Sequence, residues 1–148
     1  RVRAVVSLGL SARALITGAG VLVPFWRSAA PESFLAWYRR HAGLLLRFFG
    51  PLEVISGILV VAATGFAWAE LLPGKTLFTA STALTVGVIA SFPLYFRKAN
   101  SDFAAGSIPT ANVESELARC ATWHWARTGA AIAAFLVAAI ALGSTPAA

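Results

Sequence analysis

Four long apolar stretches, separated by short polar stretches, dominate the 148-residue chain. Each is long enough for a helix of about 20 residues, the length that crosses a hydrocarbon core of about 30 Å. Because the stretches are continuously apolar rather than alternating, helices are favoured over the strands of a membrane barrel. The pattern therefore predicts membrane spans at about residues 4–25, 51–72, 76–96 and 118–142.

A fifth segment, at about residues 31–48, is amphipathic. Aromatic and apolar residues recur there every three or four positions, and arginines lie on the other side. Gly50 and Pro51 follow it, where we expect the chain to break or bend. The sequence thus predicts one all-α domain over residues 1–148, an integral membrane four-helix bundle with an amphipathic interfacial helix between spans one and two.

Composition supports a membrane protein. The chain is 58% hydrophobic and 12% charged, whereas a soluble domain would carry about 25% charged residues. The net charge of +6 comes from Lys and Arg spread along the connections, a distribution that suits membrane orientation and predicts no nucleic-acid partner. Cys120 is the single cysteine, so an internal disulfide and a multi-cysteine metal site are excluded.

The distribution of basic residues also predicts orientation. The first apolar run is too long for the core of a signal peptide, so we treat it as a true span. Seven basic residues then lie on one side and three on the other, which predicts that both termini are outside. If the chain is bacterial, it lies in the inner membrane with loops 26–50 and 97–117 in the cytoplasm. The seven are Arg27, Arg39, Arg40, Arg47, Arg97, Lys98 and Arg119, and the three are Arg1, Arg3 and Lys75.

Charged residues inside the spans are costly unless they face protein or water. Arg13 lies near the middle of the first span and is expected to face the bundle, in a structural ion pair or in a functional role. Glu53 lies about one turn inside the second span and is expected to be protonated or paired. Its candidate partners are Arg127, Arg13 and a charged His124.

The sequence ARCATWHWARTGAA, residues 118–131, is the main candidate for a functional site. Cys120, His124, Arg127 and Ala131 follow helical spacing, so they share one face of the fourth span, and Trp123 flanks that face. A histidine and an arginine this far into a hydrocarbon-length helix make the face a functional candidate.

The sequences SFPLYFRKANSDFAAGSIP and ESELARCATWHWARTG resemble the anthrone oxygenase-like family of small four-span membrane proteins, many of which are known only as a domain of unknown function. The resemblance implies a four-helix membrane fold. It also implies oxidation of polycyclic anthrones to quinones by dioxygen, without a cofactor. The matching residues are Pro24, Trp37, Pro93, Asn100, Trp123, His124 and Arg127.

The enzyme hypothesis assigns roles to these residues. His124 would be the base, Arg127 would stabilise the anion, and Asn100 would donate a hydrogen bond, with Glu53 as the fourth catalytic residue. Tryptophan walls would hold a lipophilic aromatic substrate that enters from the lipid. The substrate-binding candidates are Trp123, Trp37, His41 and Arg13.

Each of these residues also has a structural interpretation. The tryptophans could be interface anchors, and His124 and Arg127 could join the helices by pairing with Glu53. A second hypothesis for the whole chain is a non-catalytic accessory subunit packed against a larger membrane protein complex. A third hypothesis is a haem or metal site that uses His41 and His124, although their separation carries no ligand-spacing signature.

Overall fold

The computed structural model describes residues 1–144, and these residues form helices and no strand. The four helices are α1 (Val2–Ser28), α2 (Pro31–Ala69), α3 (Lys75–Ala105) and α4 (Thr110–Gly143). Each is long and apolar enough to cross a membrane. The predicted all-α membrane four-helix bundle is therefore confirmed.

The helices pack in chain order around a closed ring. Each helix contacts the next, and α4 returns to contact α1, with the most extensive packing between α3 and α4. The short connections between the helices require antiparallel neighbours. One end of the bundle is thus formed where α1 and α3 end and where α2 and α4 begin, and we call it the aromatic end.

The aromatic end takes its name from its core. Its buried side chains include Trp26, Phe34, Tyr38, Phe96 and Phe103. The core at the opposite end consists mainly of small residues packed against Leu8 and Phe78, namely Ala4, Ala63, Ala67, Ala138 and Ala141. Small residues let helix backbones approach closely, so the composition of this end favours close helix packing.

The helix boundaries differ from the predicted ones at one important place. The amphipathic segment and the second span form a single helix that continues through Pro51, so of the predicted break or bend at Gly50 and Pro51 the break does not occur. Proline removes one backbone hydrogen bond, but helices in membranes tolerate this loss when neighbouring groups compensate. In addition, α3 continues past the predicted end of its span at residue 96 to Ala105, and α4 begins at Thr110, before the predicted start of its span at residue 118.

Buried hydroxyl groups join the helices through backbone carbonyls. Ser56 Oγ donates to the carbonyl oxygen of Ser7 at 3.0 Å, and Ser81 Oγ donates to that of Ala134 at 2.8 Å. Thr128 Oγ1 donates to the carbonyl oxygen of His124 in the same helix. It also lies 3.3 Å from the carbonyl oxygen of Leu15 in α1. Such bonds stabilise helix association where lipid offers no hydrogen-bonding partner.

Candidate functional site

A cavity of about 590 Å³ lies at the aromatic end between all four helices, within the size range of ligand sites. Its walls are mostly aromatic or aliphatic, and its polar groups come from three helices. The apolar walls include Leu22, Trp26, Tyr38, Leu45, Phe49, Ile89, Phe92 and Phe96. The polar residues are Glu53 on α2, Arg97, Asn100 and Ser101 on α3, and His124 and Arg127 on α4.

Two irregular helical turns border this cavity. Gly18–Leu22 in α1 and Phe92–Phe96 in α3 are π-helical, and each contributes residues to the cavity wall. A Cβ atom on Gly18 would lie 3.6 Å from the His124 ring, an ordinary van der Waals contact, so this turn of α1 packs directly against the imidazole. Single π-helical turns inside α-helices are frequent at functional sites, because they shift side chains out of the regular phase.

A charge pair lies in the cavity wall. Nη1 of Arg127 is 3.4 Å from Oε1 of Glu53, and the two side chains are 7% and 11% exposed. The predicted pairing of Glu53 with Arg127 is therefore confirmed. An ion pair with so little access to solvent interacts more strongly than a surface pair, and either charge would be costly without the other.

His124 contacts the same guanidinium group. Nη2 of Arg127 lies 3.3 Å from Nδ1 of His124. Arginine can only donate hydrogen bonds, so Nδ1 must accept, and a neutral imidazole then carries its proton on Nε2. In this arrangement His124 can donate a hydrogen bond from Nε2. It has no free nitrogen lone pair with which to act as a base.

Aromatic rings surround the arginine and the histidine. Cζ of Arg127 lies 4.1 Å from the centre of the Phe96 ring, in a cation–π contact. The His124 ring meets Phe96 edge-on at 4.8 Å and Trp26 at 6.3 Å between ring centres. Sequence reasoning did not identify Trp26 or Phe96 as site residues. The spacing of Ala19, Val23 and Trp26 on one buried stripe of α1 was the available signal for Trp26.

Two buried donors at the cavity have no acceptor among the described residues. They are Nε1 of Trp26 and Nε of Arg127. Most buried donors in folded proteins have a partner, so each exception calls for an explanation. These two N–H groups in the cavity wall thus have no acceptor among the described residues.

Four of the predicted site residues lie at the cavity. His124 and Arg127 are buried on the predicted face of α4, together with Cys120 and Ala131. Glu53 and Asn100 also line the cavity. The structure thus brings together the four residues that sequence analysis proposed as catalytic.

The other candidates lie elsewhere. Arg13 is exposed on the outer surface of α1 and forms no ion pair within residues 1–144, so the prediction that it faces the bundle is wrong. The buried stripe of α1 contains Ser11, Ala12 and Leu15, and Arg13 falls outside it by helical phase.

The three aromatic candidates do not line the cavity. Trp37 stacks on His41 at 4.4 Å, and Nδ1 of His41 donates to the carbonyl oxygen of Trp37 at 2.7 Å. Trp123 stacks on Tyr95 at 5.2 Å between ring centres. Trp37 also contacts Trp26, so it supports a residue that does line the cavity.

The geometry gives no support to a haem or metal site. Within residues 1–144, no three His, Cys, Asp or Glu side chains form a group that could hold a metal ion. His41 does not line the cavity that His124 lines.

Comparison with known proteins identifies no relative. No family model matches the chain, and no curated protein or solved structure is significantly similar to it. The resemblance to the anthrone oxygenase-like family therefore stays a prediction.

Proposed function

We propose that this protein is a membrane enzyme that binds a flat, lipophilic, enolisable aromatic compound and oxidises it with dioxygen without a cofactor. The anthrone oxygenase-like family that the sequence resembles motivates the reaction. The observation that carries the proposal is the position of the buried Glu53–Arg127 pair in the wall of an otherwise aromatic cavity. A polar pair beside apolar walls is the usual design of a small-molecule site.

The walls suit a planar substrate. Trp26, Tyr38, Phe92 and Phe96 offer ring faces and edges, which favour stacked or edge-on contacts with another aromatic system. At the rim, the apolar side chains of Leu46 and Val54 are more than half exposed. An apolar rim of this kind suits the entry of a lipophilic substrate from the bilayer.

Glu53 is the better candidate for the base. His124 Nδ1 is occupied by Arg127, whereas Arg127 engages only one oxygen of the Glu53 carboxylate. The second oxygen is free to accept a proton from a carbon next to a substrate carbonyl. The sequence-based hypothesis named His124 as the base. Here Glu53 accepts the proton, and His124 donates a hydrogen bond.

Removal of that proton moves negative charge onto the substrate carbonyl oxygen. Arg127 and Nε2–H of His124 are donors suited to such an oxyanion, and the Asn100 amide is suited to a second ring oxygen. The electron-rich carbon then transfers electrons to dioxygen. Overall a methylene group and one dioxygen give a carbonyl group and one water. Two C–H bonds break, four electrons pass to dioxygen, and one oxygen atom stays in the quinone.

The test is turnover of anthrone by purified protein in lipid nanodiscs, followed by quinone absorbance and by oxygen consumption. Glu53→Gln should reduce the rate by roughly 10²–10⁴-fold, the usual contribution of a general base. Glu70→Gln is the matched control, because Glu70 is an exposed glutamate at the far end of α2 and should leave the rate unchanged. A wild-type rate no higher than that of empty nanodiscs would contradict the proposal.

The accessory-subunit hypothesis predicts the opposite outcome. A protein of that kind would purify from its native membrane with a stoichiometric larger partner and would not oxidise anthrone. No contact within residues 1–144 favours the accessory-subunit hypothesis over the enzyme hypothesis.

A further inference from the structure

A second cavity, of about 490 Å³, lies between the end of α1 and the beginning of α4, and it shares no residue with the first cavity. Residues from both helices line it, with the short connection after α1 at one side. The lining includes Ala19, Val23, Arg27, Glu114, Leu117, Ala121 and Trp125.

Two opposite charges face this cavity without meeting. Arg27 belongs to α1 and Glu114 to α4, and both are exposed. Neither takes part in an ion pair within 4.0 Å among residues 1–144, whereas the neighbouring Glu116 pairs with Arg119. The cavity therefore presents one unpaired cation and one unpaired anion from separate helices.

Below these charges the cavity is apolar. On α1, Ala19 and Val23 precede Arg27 at helical spacing, so all three share one face. On the antiparallel α4, Leu117, Ala121 and Trp125 follow Glu114, and the stretch from residue 117 to 125 spans about 12 Å at helical rise. The charges lie toward one end of the cavity. Ala19, Val23 and Leu117 are buried at its floor, whereas Trp125 is exposed.

We propose that this cavity binds a phospholipid whose headgroup is zwitterionic and carries a free ammonium group, as in phosphatidylethanolamine. Arg27 would hold the phosphate, because a guanidinium group donates forked hydrogen bonds to phosphate oxygens. Glu114 accepts hydrogen bonds from the ammonium group. The acyl chains lie along Ala121 and the exposed Trp125, which follow Glu114 along α4 and are farther from the two charges. The proposal is independent of the enzyme hypothesis.

The headgroup chemistry makes the proposal specific. Phosphatidylcholine has the same net charge, but its trimethylammonium group has no N–H to donate. Phosphatidylglycerol offers the phosphate without a cation, so it would leave Glu114 unpaired beside an anionic lipid. A site that depends on both charges should therefore prefer phosphatidylethanolamine over both.

Native mass spectrometry of protein released from nanodiscs tests this preference. Discs with equal amounts of the three lipids should give a wild-type protein that retains phosphatidylethanolamine roughly tenfold over the others, the effect expected from one or two charge-assisted hydrogen bonds. Arg27→Gln and Glu114→Gln should each remove the preference. Arg40→Gln and Glu70→Gln, which change exposed charges outside the cavity, should leave it intact.

The outcomes separate the alternatives. Equal retention of the three lipids would overturn the proposal, and so would a preference for phosphatidylglycerol that only Arg27→Gln removes. If a single variant unfolds, the exchange Arg27→Glu with Glu114→Arg keeps both charges and places them on opposite walls. The protein with the two charges exchanged should retain the preference for phosphatidylethanolamine. Loss of this preference would show that the two charges do not act as a headgroup site.

Discussion

Nη1 of Arg127 and Oε1 of Glu53 lie 3.4 Å apart and join α4 to α2. These two helices lie diagonally across the ring and otherwise contact each other little. The pair is therefore a direct link across the bundle as well as the charged wall of the cavity. A structural role and a chemical role are combined in the same two side chains.

The structural role predicts strong coupling between the two residues. Removing one partner leaves a buried charge, so Glu53→Gln or Arg127→Leu alone should lower the free energy of unfolding by about 3–5 kcal/mol. The double variant should lose less than the sum of the two, because no charge is left unpaired. Unfolding in detergent, followed by circular dichroism, measures all three changes.

Glu116 and Arg119 provide the matched control for this cycle. They also form an ion pair, but the Arg119 side chain is 60% exposed on the surface of α4. Such a pair contributes about 0–1 kcal/mol, so its removal should leave the unfolding midpoint nearly unchanged. Equal effects at the exposed and the buried pair would mean that burial does not strengthen the Glu53–Arg127 link.

A second prediction concerns the close approach of α3 and α4. A Cβ atom on Gly74 would lie 2.5 Å from the backbone oxygen of Ala141, and a backbone atom cannot move aside as a side chain can. Gly74→Ala should therefore destabilise the bundle by about 1–3 kcal/mol, the usual cost of overpacking. Gly65→Ala is the control, because a Cβ atom there would meet nothing within 4 Å. Melting of Gly74→Ala at or above the wild-type temperature would contradict the tight packing.

A third prediction concerns orientation. Leu71, which is 72% exposed, lies in the turn between α2 and α3, and Ser107 lies in the connection between α3 and α4. In a Cys120→Ser background, a membrane-impermeant thiol reagent should reach Leu71→Cys only from outside and Ser107→Cys only from the cytoplasm. Labelling of both from one side would contradict the four-span topology. Labelling of each from the wrong side would contradict only the orientation that the charge distribution predicts.

Much of this architecture could be predicted from the sequence, because a lipid-spanning helix needs a long uncharged run and little else. The pairing of Glu53 with Arg127 could also be predicted, since a buried carboxylate needs a cation and both residues enter their spans from the same end. The common face of His124 and Arg127 followed from helical spacing alone. These inferences needed only local pattern and depth in the membrane.

The remaining features depend on how the helices rotate and pack. Arg13 was placed inward on the argument that buried charge needs a partner, yet the phase of the small residues around it places it outside. Gly50 and Pro51 were expected to break or bend the chain, but the helix continues through them, as membrane helices can when neighbouring groups compensate for the lost hydrogen bond. The π-helical turns, which change the phase of α1 and α3 beside the cavity, have no clear signature in the sequence. For this reason Phe96 was missed as a wall residue, whereas the helical spacing of Trp26 with Ala19 and Val23 was visible in the sequence and was not recognised.

The central claim is that Glu53 removes a proton from a carbon of a substrate bound in the cavity. Exchange of the methylene hydrogens of anthrone with deuterium, followed by NMR without oxygen, isolates this step from the oxidation. Wild-type protein in nanodiscs should accelerate the exchange over empty nanodiscs. Glu53→Gln should exchange roughly 10²–10⁴-fold more slowly than the wild type. Glu53→Asp, which keeps a negative charge beside Arg127, should lose most of the acceleration while its stability stays near that of the wild type. Exchange as fast with Glu53→Gln as with the wild type, or no acceleration by the wild type, would contradict the account.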